Sequence, residues 1–270
     1  MEVEQSPLVV TEELKPISSN VRIAPLAAAD TNKLAMEGYY AYPGQLPYLA
    51  QVYSKQKTGA GYIYCGGSII TTRYVLTAAI CVFLRSDRSV YDTGYVLLGS
   101  APKGDLEREQ RINFTGSGIS VHPSYNGTYL YDIATIRLDQ AAVFNTYVQP
   151  IRLPSLADTR TFEMMEATST AFRSYLGQIY ARNQVMSNEN CNLAHAYVYG
   201  QQLCTNPYIG GSFCNSVHGG PLTVEDEDGR IQIGITNWVK DCSLNSPLAH
   251  IRITYFKDWI RLNSNYIFEY

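Results

Sequence analysis

From residue 38 onward the chain is written in short apolar stretches punctuated by glycine, proline and asparagine. Segments 46–53, 62–70, 95–98, 118–121, 133–138 and 231–238 are rich in Val, Ile, Leu and Tyr. Many short strands between frequent turns predict an all-β barrel or sandwich. Two helices are predicted beside them. One follows Ser187, whose hydroxyl suits an N-cap, and runs toward Ala196. The other closes the chain, where Phe256, Trp259 and Ile260 fall on one face at i, i+3, i+4 spacing. Residues 1–34 are polar, contain proline and hold no sustained period, which predicts an extended or disordered arm. Residues 35–270 are then the folded domain.

Composition narrows this picture. A chain of 270 residues can bury a full core as one domain or as two packed subdomains. The net charge of −3, with both signs interspersed, favours neither nucleic acid nor an anionic membrane. The longest nearly apolar run, 74–84, has 11 residues, too few to span a bilayer. Six cysteines suit three disulfides or a metal site. No C-x-x-C spacing occurs and the four histidines show no ligand spacing. Disulfides are therefore expected, with an oxidising compartment, and neither metal nor cofactor is expected. The apolar triplet Leu8-Val9-Val10 is too short for a leader and is flanked by acids. A secreted protein whose leader has been removed is the expectation.

One stretch carries the candidate chemistry: Cys214-Asn215-Ser216-Val217-His218-Gly219-Gly220-Pro221-Leu222. It resembles the nucleophile loop of the trypsin/chymotrypsin family of serine proteases, Cys-x-Gly-Asp-Ser-Gly-Gly-Pro. Further pieces follow the same family in order. They are Tyr42-Pro43-Gly44-Gln45-Leu46-Pro47, Cys65-Gly66-Gly67-Ser68 and Leu76-Thr77-Ala78-Ala79-Ile80-Cys81. Next come His122-Pro123-Ser124-Tyr125, Asp132-Ile133-Ala134, Val148-Gln149-Pro150-Ile151-Arg152-Leu153-Pro154, and Trp238 before Cys242. The resemblance implies two perpendicular six-stranded antiparallel barrels, a cleft between them and a C-terminal helix. It also implies the pairs Cys65–Cys81, Cys191–Cys204 and Cys214–Cys242.

What the resemblance implies for catalysis is less familiar. Ile80 stands at the position of the general base, His218 at that of the nucleophile, and only Asp132 is kept. Ser216 replaces an oxyanion-hole glycine and Val217 the aspartate that receives a new N-terminus on activation. The matching terminus, Ala35-Met36-Glu37-Gly38, follows Leu34, with Lys33 one residue away. Acyl transfer needs a nucleophile, a base touching it and oxyanion donors. The expectation is a catalytically inactive homolog, not an enzyme, in which Asp132 serves as a buried acceptor for the Ala79–Ile80 backbone and Asn237. Ser212 or Ser216 with His218 as base is the weaker alternative. The specificity pocket is expected to be filled, with Val239 and Leu248 in place of wall glycines and an uncharged Ser212 at its floor. Ser100 stands where the family's calcium loop begins with glutamate, so calcium is not expected.

Surface features complete the reading. Asn113-Phe114-Thr115 and Asn126-Gly127-Thr128 are glycosylation sequons, expected on loops. The acidic run 225–229 reads as a solvated hairpin turn. Tyrosine is abundant, with 22 residues, and 195–199 between Cys191 and Cys204 is a candidate interface loop. The expected function is a secreted, arthropod-type serine protease homolog that binds protein and regulates an extracellular proteolytic, immune, gut or reproductive pathway. Its expected partner is an active protease or that protease's substrate. The alternatives are a hydrolase using other residues, and a decoy for protease substrates or inhibitors, against which the filled pocket argues. Because Val217 offers no carboxylate to a new ammonium group, cutting at Lys33 has no coupling to folding. Limited trypsin treatment there is expected to leave the melting temperature and tryptophan fluorescence unchanged; a large stabilisation would contradict this.

Overall fold

The computed structural model describes residues 38–57, 61–100, 109–173, 177–194, 198–206, 218–239 and 247–270. Ten strands lie in the first half: β1 (Tyr39–Tyr40), β2 (Leu49–Lys55), β3 (Ile63–Ile69), β4 (Tyr74–Thr77), β5 (Phe83–Leu84), β6 (Ser89–Val90), β7 (Thr93–Leu98), β8 (Gln110–Thr115), β9 (Ile119–Val121) and β10 (Ala134–Arg137). Six follow: β11 (Glu166–Arg173), β12 (Gly177–Met186), β13 (Gln202–Asn206), β14 (Pro221–Asp226), β15 (Gly229–Val239) and β16 (Leu248–Arg252). Helix α1 spans Asn188–Ala194 and helix α2 spans Lys257–Leu262. Ser187 Oγ accepts the Asn190 N–H at 3.1 Å, the cap expected of it.

The first sheet runs β8-β7-β2-β3-β4-β10-β9, and the second runs β1-β12-β11-β14-β15-β16-β13. An added pairing of β12 with β13 closes the second into a six-stranded barrel with β1 on its outside. The first sheet has no such closure among the described residues, so it is a half-barrel. The expected all-β double-barrel fold with a C-terminal helix is present, with one barrel closed by six strands and the other, among the described residues, a half-barrel. The reason is local: β9, only three residues long, meets β10 and ends there, leaving β8 and β9 as edges.

Alternation explains the half-barrel strands. In β8, Ile112 and Phe114 are buried while Arg111, Asn113 and Thr115 face water. The closed barrel encloses Phe162, Ala167, Val185, Leu203, Leu222, Val224, Ile231 and Ile233. The larger cluster is built on the half-barrel and continues into Phe172, Ile235, Ile251, Phe256 and Ile260, so the C-terminal helix is part of the first core.

The two halves meet on backbone. Gly66 N donates to His218 O at 2.8 Å, and Thr77 Oγ1 donates to Gly66 O at 2.7 Å. The connecting segment adds Ile151 N to Ile69 O at 3.0 Å and Gln232 N to Arg152 O at 2.9 Å. Between them Ser68 Oγ donates to Gln232 Oε1 at 2.6 Å in the buried seam. Asp226 is more than a solvated turn residue, since it pairs with Arg152 at 2.8 Å and Arg160 at 3.3 Å. Lys257 at the start of α2 donates to the carbonyls of Ser155, Leu156 and Asp158 at 2.9, 2.7 and 2.7 Å.

The closeness of the seam can be tested. A Cβ on Gly66 would sit 2.8 Å from both Cα and N of Gly220, backbone that cannot yield. Gly66→Ala should cost about 1–3 kcal/mol in chemical denaturation. Gly200→Ala, where nothing lies within 4 Å, should stay within about 0.5 kcal/mol. Equal midpoints for the two variants would rule out the tight junction.

Candidate functional site

The candidate site lies on the seam, assembled from four short elements. Ile80 sits in a 3-10 turn, Ala79–Cys81, which the Cys65–Cys81 disulfide ties to β3. Asp132 precedes β10 and is 2% exposed. Asn237 lies on β15 at a register shift between Thr236 and Trp238 in the ladder with β16. Such a bulge leaves one residue without a ladder partner and re-aims its side chain. His218 occupies the turn before β14, held through its backbone to Gly66.

Asp132 is the hub. Its Oδ1 accepts the Ile80 N–H at 2.7 Å and its Oδ2 accepts the Asn237 amide at 2.6 Å. These are the donors the sequence analysis assigned to it. One donor comes from each half of the molecule, so the carboxyl group ties the seam at this depth. Burial nevertheless pushes its pKa up to about 7, against the lowering effects of the Ile80 N–H, the Arg85 charge, the Ala79 N–H and the Asn237 amide.

His218 is half-buried. Burial lowers its pKa, opposed by a hydrogen bond to the Asn237 backbone and reinforced by the charge of Arg85. The ring is therefore neutral near pH 7. Its Nδ1 is buried and has no hydrogen-bond partner among the described residues. Arg85, an exposed turn residue that carries no motif and that sequence reasoning did not single out, adds a positive charge that favours the Asp132 carboxylate and disfavours a protonated His218. The electrostatics of Asp132 and His218 both register it.

Other expected positions scatter. Leu248 opens β16 and is buried, paired in register with Thr205 and Val239. Ser212, Ser216, Val217, Cys214 and Cys242 lie outside the described residues, as do Lys33, the start of the domain, His195, Ala196 and Tyr197. The pairs Cys65–Cys81 and Cys191–Cys204 are formed, with Cα atoms 5.8 and 6.2 Å apart. Asn113 lies within β8 and not on a loop, which corrects that expectation; Asn126 is exposed in a turn beside Thr128. His122 stacks on Tyr131 at 4.8 Å and touches Phe256 and Trp259, a packing role. His250 is fully buried on β16 between Thr205 Oγ1 at 3.0 Å and Thr236 Oγ1 at 3.4 Å. Burial drives its pKa down to about 3.

A closed six-stranded barrel beside a half-barrel, with a short C-terminal helix, defines an all-β chymotrypsin-like fold. The chain belongs to the trypsin family, whose model matches residues 35–260. It is 28% identical to a chymotrypsin of Phaedon cochleariae over 262 residues, covering 93% of this chain and 90% of that one. It is 32% identical to a collagenase of Hypoderma lineatum over 245 residues, covering 86% and 88%. A CLIP domain-containing serine protease of Anopheles gambiae is 31% identical over 248 residues, covering 84% of this chain and 68% of its own. The solved structure of HL collagenase superposes with a TM-score of 0.73 at 29% identity, covering 86% of this chain and all of that one. These relatives are named as proteases, and they point to a protease. That corrects the expectation that the chain is not an enzyme.

Two predictions follow from the buried acid and base. Asp132→Ala should leave the Ile80 and Asn237 donors unpaired and cost about 1–3 kcal/mol, while His218→Ser at the half-buried turn should cost less. Comparison of their denaturant midpoints checks the order; the reverse order contradicts the hydrogen-bond assignment.

The second prediction concerns pH. The folded-state pKa of His250 is depressed from 6.5 to about 3, so its contribution is present above pH 6.5 and is lost as pH falls. The folded-state pKa of Asp132 is raised from 3.8 to about 7, so its contribution is present below pH 3.8 and is lost as pH rises toward 7. Between about pH 4 and 6.5 the two slopes oppose each other. Asp132→Asn should therefore make stability rise more steeply with pH in that window, and His250→Gln should make it rise less. Urea titrations at pH 4, 5 and 6 read the slopes; parallel curves for all three proteins would refute the opposition.

Proposed function

We propose that this trypsin-family chain is secreted and serves an extracellular proteolytic pathway by binding protein there, as a cofactor or regulator of an active protease or of its substrate. The observation that carries this reading is the filled coordination of Asp132. Ile80 N and Asn237 Nδ2 occupy its two oxygens from opposite halves of the molecule. The buried carboxyl group thereby ties the two halves together at this depth, and a surface held in place beforehand binds protein at lower entropic cost. The likeness to a CLIP domain-containing serine protease supports a place in a protease pathway.

A second reading is hydrolysis of peptide bonds, the chemistry to which the relatives' names point. The side chain at position 80 is hydrocarbon and takes no proton, so a base must come from elsewhere. His218 favours this reading, with its lowered pKa and an Nδ1 that has no hydrogen-bond partner among the described residues. Such a ring is in its basic form at neutral pH.

One experiment separates the two. The purified chain is added at rising concentration to the extracellular fluid of its source while proteolysis is followed, and the same protein is used for affinity capture. Binding predicts a saturable change in rate together with a protease or protease substrate in the captured fraction, both unchanged by His218→Ala. Cleavage of a protein mixture by the chain alone, abolished by His218→Ala, would favour hydrolysis. Rates and captured fractions that ignore the chain would sink the binding reading.

A further inference from the structure

We propose that Asn113 carries an N-linked glycan whose first N-acetylglucosamine packs against the Tyr95–Arg111 pair on the outer face of the half-barrel sheet. The sequon Asn113-Phe114-Thr115 lies wholly within β8. Phe114 is fully buried, so the strand's alternation turns Asn113 and Thr115 outward, and both are exposed. The Asn113 carbonyl is occupied by the Asp139 N–H at 2.9 Å, which fixes the backbone there. Its side-chain amide is engaged by no group among the described residues.

The neighbours of this asparagine distinguish the site from an ordinary surface sequon. Register places Tyr64 on β3 opposite Tyr53 on β2, Tyr53 opposite Tyr95 on β7, and Tyr95 opposite Asn113 on β8. The row is in contact along its length. Tyr53 and Tyr64 rings are 5.3 Å apart, and Tyr53 and Tyr95 rings stack at 4.6 Å with an interplanar angle of 14°. Arg111, two residues before Asn113 on the same face, lays its guanidinium 3.7 Å from the Tyr95 ring centroid. Directly opposed residues on antiparallel strands have Cβ atoms about 4.5–5.5 Å apart. A sugar on Asn113 Nδ2 is thereby delivered to the outer edge of Tyr95 and Arg111. It shields a cation–aromatic pair from water, and such pairs are stronger when desolvated.

The site also sits where a glycan is useful. β8 ends the seven-stranded sheet, where residues 139–143 already cover its edge through Asp139 N–H to the Asn113 carbonyl and the Gln110–Val143 pair, and a sugar on Asn113 extends that cover. In the transfer itself, Asn113 Nδ2 attacks the anomeric carbon of a lipid-diphosphate-linked oligosaccharide. A C–N bond forms, the C–O bond to the diphosphate breaks, and the diphosphate leaves with the electron pair. The amide loses one proton, which in the net reaction goes to the departing lipid diphosphate.

The test uses the full chain with Asn126→Gln, secreted from a host that leaves glycans in the high-mannose form. Endoglycosidase H then trims any glycan to one N-acetylglucosamine. Peptide mass spectrometry should find that sugar on Asn113. The trimmed protein should melt roughly 2 °C above the Asn113→Gln variant of the same background. That gap should close when Tyr95→Ala is added to both proteins, and also when Arg111→Ala is, which keeps the test usable if one variant folds poorly. An unmodified Asn113, no gap, or a gap that survives both changes would overturn the proposal. None of these outcomes bears on whether the chain binds or cleaves protein.

Discussion

Two stretches of backbone pressed together without side chains between them hold this molecule in its working shape. Gly66 on β3 and the pair Gly219–Gly220 before β14 approach so closely that a Cβ on Gly66 would meet Gly220 atoms at 2.8 Å. Gly219 holds φ at +85°, a conformation that costs most residues and costs glycine little. From this contact the rest follows. The carbonyl of His218 reaches Gly66 N, and Gly219 N reaches Thr236 O at 2.9 Å. Thr236 N then returns to Gly220 O at 2.8 Å, which fixes β15 and hence Asn237. The half-barrel, the closed barrel and the candidate site thus share one set of backbone constraints. A methyl group at the contact would shift all three.

Against that frame, Asp132 is a compromise between two costs. A carboxylate taken out of water is penalised heavily unless charge-assisted hydrogen bonds replace the hydration it loses. Here two such bonds exist, at 2.7 and 2.6 Å, yet burial still dominates and lifts the pKa toward neutrality. The group therefore holds its proton to a higher pH than an exposed carboxyl group does. His218 nearby is driven the opposite way and stays neutral. Among the described residues Arg85 is the charge that acts on both, and the junction brings together a buried carboxyl group and a ring nitrogen with no hydrogen-bond partner among those residues. These are the groups that any chemistry at this junction has to use.

Legibility in the chain followed the size of the side chains that carry the pattern. Strands β2, β3, β7, β10 and β15 were readable because Val, Ile, Leu and Tyr mark them, and the matches were off by a few residues at the ends. The long hairpin of β11 and β12 was missed, although its strands have 8 and 10 residues. Its buried face carries Ala167, Ser169, Ala171, Ala181 and Asn183 beside Ile179 and Val185, so small and polar residues interrupt the hydrophobic period. Asn183 is tolerated there because its Nδ2 finds Ser169 Oγ at 2.8 Å. In the site, the donors of Asp132 were legible from the family's motifs, while Arg85 was not. Its role comes from a turn that only the fold brings beside Asp132. The half-barrel was equally hidden, since no local residue records that β8 and β9 do not pair among the described residues.

The tyrosines make the same point about composition. Their abundance suggested an interface loop within residues 195–199, of which only Val198 and Tyr199 are described, Tyr199 as an exposed residue. Where they can be followed, Tyr53, Tyr64 and Tyr95 are instead stacked across neighbouring strands, with Tyr62 packed at the edge of the row. Burial raises the pKa of Tyr64 and Tyr95, so both keep their phenol protons well above neutral pH. Aromatic residues are favoured on strands because a pleated surface lets them pack against cross-strand neighbours, and each such pair adds about 0.2–1 kcal/mol. A count of tyrosines cannot distinguish this use from partner recognition, since both need a flat ring with a polar tip. The discriminating quantity is register. A row of rings at matched positions on β3, β2 and β7 is a device for holding an exposed sheet face together, and the residue at the end of that row inherits its rigidity.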